Sequence, residues 1–211
     1  MPADKSLYYY GRIYHRLFDP QLAEARQVAA DLITEGSSVL DIGCGTGLLC
    51  FMLKEKKKCR VVGLDLSLRM LGFARKANPY QDVTLVHEDA TDLGAFRDRC
   101  FDYATMLMLM HELSRPQQVC VIKEALRVAR RAIIIDSLSP LPKNVGGIGI
   151  RIVEGTFGRD HNRNFKAFLA AGGIADILKE SALPITVEHR SVFWRNCREV
   201  ILVRRHRQQI R

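Results

Sequence analysis

The order of apolar runs along the chain predicts an α/β protein: a parallel sheet with helices on both faces. Three observations carry that prediction. Short β-type runs alternate with helix-period segments between residues 39 and 136, the arrangement that forces parallel strands joined by crossovers. Carboxylates recur at or just after the ends of those runs, at Asp41, Asp65, Asp89 and Asp136. Parallel sheets hold ligands at that edge. A glycine loop, Gly43-Cys44-Gly45-Thr46-Gly47, follows the first run and opens a helix, and such a loop brings backbone N–H groups close to a ligand.

The elements follow in order. Tyr8, Tyr9, Tyr10, Tyr14 and Phe18 form an aromatic cluster that either packs a terminal segment or serves as a lid over the glycine loop. Asp19-Pro20 opens a helix over Gln21–Thr34, with Leu22, Ala25, Val28, Ala29, Leu32 and Ile33 at helical spacing. Val39–Asp41 is the first strand and Leu48–Lys56 the helix after it. Arg60–Asp65 is the second strand, and Ser67 can cap a helix over Leu68–Ala77 that stops at Asn78-Pro79. Val83–His87 is the third strand, followed by a short helix ending at Phe96. Phe101–Leu107 is the fourth strand, and a loop around His111–Ser114 leads to a helix over Pro116–Ala129. Arg131–Asp136 is apolar throughout and reads as a strand buried on both faces. Residues 137–160 carry Pro140, Pro142, Gly146, Gly147, Gly149, Gly155 and Gly158. They read as a mobile loop insertion on the substrate side with one short helix. Asp160–Ser181 is a helix broken near Gly172-Gly173. Thr186–Val192 and Glu199–Val203 close the chain as an antiparallel pair.

At 211 residues one domain over 1–211 is expected, with 1–35 as an N-terminal helical cap. No apolar run approaches the roughly 20 residues of a membrane span, and Met1-Pro2-Ala3-Asp4-Lys5 lacks the apolar core of a signal peptide. Cytoplasm is the expected compartment. The cysteines, Cys44, Cys50, Cys59, Cys100, Cys120 and Cys197, form no C-x-x-C pair, so neither a zinc site nor a redox motif is expected. A net charge of +9, concentrated partly in Arg204–Arg211, fits either a solvated terminus or an acidic partner such as nucleic acid.

The glycine loop itself discriminates among ligands. A dinucleotide fingerprint needs a glycine at position 48, which is Leu48, and no Gly-Lys-Ser/Thr follows for a P-loop. Asp41 beside the loop would repel a pyrophosphate and attract a cation. The loop therefore suits a cationic adenosine ligand such as S-adenosylmethionine (SAM).

With these residues in view, the chain resembles the class I SAM-dependent methyltransferases. VLDIGCGTG (Val39–Gly47) is similar to the family's first motif, VVGLDLS to the second, HEDATDL to the third and FDYATMLMLMHEL to the segment under the methionine part of SAM. The resemblance implies a Rossmann-like, doubly wound, seven-stranded, mostly parallel sheet with the last strand antiparallel. It implies that Asp65 holds the ribose hydroxyls, that Leu66 lies against adenine, and that Asp89 reads the adenine amino group with Ala90 as a backbone contact. Asp41 either meets the methionine amino group through water or orients the loop. Tyr10, Tyr14, Gly43, Cys44, Gly45, Gly47, Met70 and Met106 complete the expected cofactor set, and S-adenosyl-L-homocysteine would be the product. Within the class, Asp136-Ser137-Leu138-Ser139-Pro140 is similar to the acid-x-S-x-P element of quinone-biosynthesis methyltransferases, a small-molecule branch.

Methyl transfer needs alignment and dehydration more than acid–base chemistry, because the sulfonium is already a good leaving group. Catalytic candidates are His111, Asp136 and His161. His111 is either a base or a wall that orients its loop. Asp136 either meets the acceptor or caps its strand, and His161 either acts or simply starts a helix. No metal is expected. A small-molecule acceptor is the first expectation. Nucleic acid is disfavoured: the fourth strand is not followed by the [Asn/Asp/Ser]-Pro-Pro-[Tyr/Phe] element of enzymes acting on flipped bases. A SAM-binding protein without catalysis is the third reading. Oligomeric state has no signature in the sequence.

Overall fold

A computed structural model describes residues 11–206. The chain runs α1 (Gly11–Leu17), a 3-10 turn (Asp19–Leu22), α2 (Ala23–Asp31), β1 (Ser38–Ile42), α3 (Leu48–Lys57), β2 (Arg60–Asp65), α4 (Leu68–Ala77) and β3 (Thr84–His87). It continues through β4 (Phe101–Leu107), a 3-10 turn (Met110–Glu112), α5 (Arg115–Val128), β5 (Ala129–Ser137), α6 (Val145–Thr156), α7 (Arg159–Ala170), α8 (Gly173–Glu180), β6 (Ile185–Phe193) and β7 (Arg198–Arg205). The expected Tyr8–Tyr10 cluster, the Tyr10 contact and the end of the basic tail lie outside the described residues.

The strands form one seven-stranded sheet in the order β3-β2-β1-β4-β5-β7-β6. β1 to β5 pair in parallel. β7 runs antiparallel to both neighbours, as the resemblance implies. Strand order reverses between β1 and β4, which opens the crevice where ligands enter such sheets.

Side-chain alternation sorts the core onto two faces. Ile133 and Ile135 of β5 pack with Val39, Val61, Leu53 and Ala29 under α2 and α3. Ala132 and Ile134 pack with Leu40, Met106, Ile122 and Ile177 under α5 and α8. Gly63 of β2 is a close-approach glycine: a Cβ there would lie 2.8 Å from Cys50 Sγ and 3.0 Å from Cys44 Sγ.

Two expectations need correction. The short helix before Phe96 is a series of turns. Asp89 Oδ1 accepts from the Thr91 N–H at 2.9 Å, and α5 satisfies the rest: Arg127 donates to the carbonyls of Leu93 and Phe96, and Glu124 accepts from the Leu93 N–H. The backbone has side-chain partners and needs no helix. Residues 137–160 are largely ordered helix rather than loop. α6 has 12 residues, and its N-cap Asn144 accepts from the Gly147 N–H at 2.8 Å. The break expected near Gly172-Gly173 is present: α7 and α8 are separated where Gly172 and Gly173 adopt φ of 87° and 68°.

Candidate active site

The glycine loop is tied to its neighbours through the backbone. Gly43, Gly45 and Gly47 take φ of 73°, 55° and 79°, a region that favours glycine. The N–H groups of Gly43 and Cys44 both donate to the Leu64 carbonyl, at 2.8 and 2.9 Å. The Gly45 N–H donates to Asp65 Oδ2 at 2.8 Å, while Asp65 Oδ1 accepts from the Ser67 N–H at 2.8 Å. Asp65 thus clamps the loop to the start of α4. Burial pushes its carboxyl above the usual range, against the pull of those N–H groups.

The N-terminal segment reaches the loop through a second carboxylate. Asp19 is buried and accepts from Thr46 Oγ1 at 2.7 Å, from His15 Nδ1 at 3.0 Å and from Arg26 Nη1 at 3.4 Å. Arg26 Nη2 also donates to the Asp19 carbonyl at 2.6 Å. The cap is therefore fastened to the loop it covers, and Tyr14 of α1 comes to line the cleft.

That cleft has a volume of about 630 Å³, within the range of cofactor sites. Tyr14, Gly43, Gly45, Asp65, Leu66, Met70, Asp89, Ala90 and His161 all line it. Asp41, Cys44, Gly47 and Met106 lie beneath or beside it instead. Asp41 is buried in β1 between Gly63 and Thr105 of the flanking strands. Its Oδ1 accepts from Thr105 Oγ1 at 2.7 Å and its Oδ2 from Cys50 Sγ at 3.3 Å. Burial pushes its pKa up to about 6, with those two hydrogen bonds pulling the other way. Gly47 is the N-cap of α3, and Met106 is core.

A smaller cavity of about 180 Å³ adjoins the cleft and shares Tyr14, Met108 and Phe157 with it. Met108 sits at this threshold with φ of 53°, uncommon outside glycine, and its N–H donates to the Ile135 carbonyl at 2.8 Å. The cavity draws on distant segments: Phe18, Gln21 and Leu22 from the cap, Ile150, Val153 and Glu154 from α6, Trp194 and Arg198 from the β6–β7 hairpin, and His111.

The three catalytic candidates come together through a residue that the sequence reading missed. His111 is buried, and its Nδ1 donates to Asp136 Oδ1 at 2.7 Å. The other side of its ring, Nε2, lies 3.5 Å from Glu154 Oε2, which is 2.5 Å from His161 Nε2. The side chains form a chain Asp136–His111–Glu154–His161 that starts on β5 and emerges at the cleft. Burial opposes a charged imidazole, but Asp136 and Glu154 outweigh it and raise the His111 pKa well above its usual value. Burial likewise opposes the Glu154 carboxylate, yet the two histidines hold it at about 2. The donor atoms of His111, Glu154 and His161 lie within 4.8 Å of one another. Sequence spacing gives no metal motif, so only the fold reveals this grouping. Arg198, also missed, is 5% exposed, and its guanidinium stacks 4.6 Å from the centre of the Trp194 ring.

Comparison with known proteins agrees with this geometry. Residues 39–132 match a methyltransferase domain family. The chain is 29% identical over 178 residues to cypemycin N-terminal methyltransferase of a Streptomyces species, covering 81% of this chain and 71% of that one. It is 30% identical over 139 residues to an O-methyltransferase of Penicillium expansum, covering 59% of this chain and 50% of the relative. A phosphatidylethanolamine N-methyltransferase of Cereibacter sphaeroides is 32% identical over 110 residues, covering 50% of this chain and 52% of the relative. The chain thus spans only about half the length of the latter two. Among solved structures, a protein from Pyrococcus horikoshii shares the fold with a TM-score of 0.71 at 18% identity, covering 94% of this chain and 96% of that one. A magnesium protoporphyrin IX methyltransferase from Synechocystis, solved with S-adenosylhomocysteine bound, shares it at 0.58 and 21%, covering 92% and 85%. The glycine loop, the clamp at Asp65 and the family match together identify residues 39–132 as a methyltransferase domain of the class I fold, with SAM as its methyl donor.

Proposed function

We propose that the enzyme transfers the SAM methyl group to a small molecule seated in the smaller cavity, by in-line displacement onto an oxygen, nitrogen or carbon nucleophile. One observation carries this reading. A chamber of about 180 Å³ opens directly beside the cofactor cleft, with Tyr14, Met108 and Phe157 as their common wall. The N- and O-methyltransferase relatives support it.

In this reading Asp65 holds the ribose hydroxyls, Asp89 and the Ala90 backbone meet adenine, and Leu66 lies along its ring. Gly43 and Gly45 let the methionine part approach the main chain. Asp41 acts from below, presenting negative charge toward the cofactor's ammonium through the loop it supports. His111 lies between the Asp136 and Glu154 carboxylates, which favour its charged form, and this supports an orienting role over that of a base. His161 reaches the cleft and takes the acceptor's proton where there is one to lose. Residues 1–211 act as one unit, with 1–35 as a cap and 137–160 as part of the acceptor wall. All six cysteines are unpaired, which supports a reducing compartment such as the cytoplasm. No helix among the described residues is long and apolar enough to cross a membrane.

The test is a screen of fractionated cell extract with methyl-labelled SAM. Label entering the small-molecule fraction supports the proposal. Label confined to RNA or protein overturns it.

A further inference from the structure

We infer that the smaller chamber is built for an acceptor bearing a carboxylate, and that Arg198 is the residue that reads it. The inference rests on the small-molecule reading above and names the substrate class.

Arg198 is almost wholly buried, yet among the described residues no acid comes within ion-pair distance of it. Its Nη1 donates to the Gln21 carbonyl at 2.9 Å, while its buried Nε has no hydrogen-bond partner. A buried cation without a counter-ion is strongly unfavourable. Of the acids whose charge reaches Arg198, Glu24 is exposed to solvent on α2, while the buried ones serve other partners. Asp136 serves His111 and the Ser137 N–H, and Glu154 serves the two histidines. Glu199, the next residue, takes Arg190 at 2.9 Å through Oε2, and its Oε1 has no partner. The missing charge therefore comes from a ligand.

The register puts Arg198 in position. It pairs with Ser137 at the last step of β5, at the ligand edge of the sheet. Trp194 covers its guanidinium from the hairpin tip. That tip is expensive to build: Trp194, Arg195 and Asn196 adopt φ of 44°, 57° and 59°, where non-glycine residues are rare. Asn144 Nδ2 donates to the Arg195 carbonyl at 2.8 Å while its Oδ1 caps α6. One residue thereby locks two walls of the chamber together.

The shape and charge of the chamber select the anion. The unpaired Nε edge of a guanidinium is a fork for a planar carboxylate. Glu154 also lines the chamber, and its negative charge disfavours a doubly charged phosphate. Phe18, Ile150 and Val153 offer apolar surface to the body of the acid. Its nucleophile would then point past Met108 and Phe157 into the cleft.

The experiment uses the protein saturated with S-adenosylhomocysteine. Benzoate, phenylacetate and hexanoate are titrated against their matched amides, followed by calorimetry and by emission of Trp194, the only tryptophan in the chain. At least one acid is expected to bind tenfold or more tighter than its amide and to change the emission. R198Q should erase the difference while leaving S-adenosylhomocysteine affinity within about twofold of wild type. R198K keeps the charge but loses the fork, and should keep only part of the preference; it carries the test if R198Q melts early. No preference for acids across the panel, or a preference that persists in R198Q, overturns the inference. So does a loss of S-adenosylhomocysteine affinity in a folded R198Q, which would hand the anion to the cofactor. Methyl transfer to a neutral acceptor alongside any of these results would leave the small-molecule reading standing and remove only the carboxylate.

Discussion

The two halves of the ligand edge are built in opposite ways. The cofactor half takes its glycine loop and strand-end acids from one stretch around β1 to β3, residues 43–90, and backbone N–H groups hold that loop in place. The Gly43 and Cys44 N–H groups meet the Leu64 carbonyl, and the Gly45 and Ser67 N–H groups meet Asp65. The acceptor half is assembled from the cap, the His111 loop, α6 and the β6–β7 hairpin, and is held by side chains such as Glu154, Asn144 and Arg198. Backbone contacts tolerate change in side-chain chemistry, whereas side-chain contacts do not. One half can therefore stay constant while the other is rebuilt for a new substrate.

The comparison breaks most sharply at Asp65. Asp65→Ala removes the clamp and, with it, the proposed hold on the ribose hydroxyls, and should weaken S-adenosylhomocysteine binding by about 100-fold, about 3 kcal/mol, measured by calorimetry. Unchanged affinity would sink the cofactor assignment. Glu154→Gln should do the reverse. It cuts the chain from His111 to His161 and is expected to lower turnover by about 30-fold with S-adenosylhomocysteine binding intact. A variant that lost both would deny that the halves are separable.

Asp41 gives a pH-dependent case. Its folded pKa of about 6 lies above its unfolded value, so the native state holds the extra proton between about pH 4 and pH 6. In the ligand-free enzyme, stability from this group is therefore greatest at low pH and falls as pH rises through that window, by about 3 kcal/mol in all. A cofactor cation favours the ionised form, so SAM affinity should drop by up to about tenfold from pH 7 to pH 5. Asp41→Asn should flatten that profile. The smallest effect belongs away from both halves. Glu188 bridges Arg131 and Arg204 on the sheet surface, at 2.7 and 2.6 Å, and Glu188→Ala should cost less than about 1 kcal/mol in a denaturant melt with both ligand sites unaffected.

The same contrast explains what could be read before the fold was known. The glycine loop and the strand-end acids are legible because each lies within a few residues of the strand that positions it. Asp41 is the exception within that half. Its place in the sequence suggests contact, but Thr105 and Cys50 hold it below the cleft. α6 is hidden by its glycines, each of which costs a helix about 1 kcal/mol relative to alanine. Two of them answer to packing: a Cβ at Gly147 would fall 1.9 Å from the Pro142 carbonyl oxygen, and one at Gly146 would meet Cys197 Sγ at 3.0 Å. Tertiary contact thus overrides local propensity in that helix. Glu154 and Arg198 look like ordinary surface charges in the sequence. Only pairing across long chain separations, Glu154 with His111 and Arg198 with Gln21, shows that they are buried.

The strand order has a consequence for how the enzyme is made. β7 is synthesised after β6 yet inserts between β5 and β6. Until it arrives, the apolar edge of β5, with Ile133, Ile134 and Ile135, has no partner. An open edge of that composition is an invitation to intermolecular pairing. The cofactor crevice needs none of β7 and can close early, so SAM binding to the nascent protein would protect one half of the sheet during synthesis. The other half depends on the strand that brings Arg198, and with it the acceptor wall, into place last.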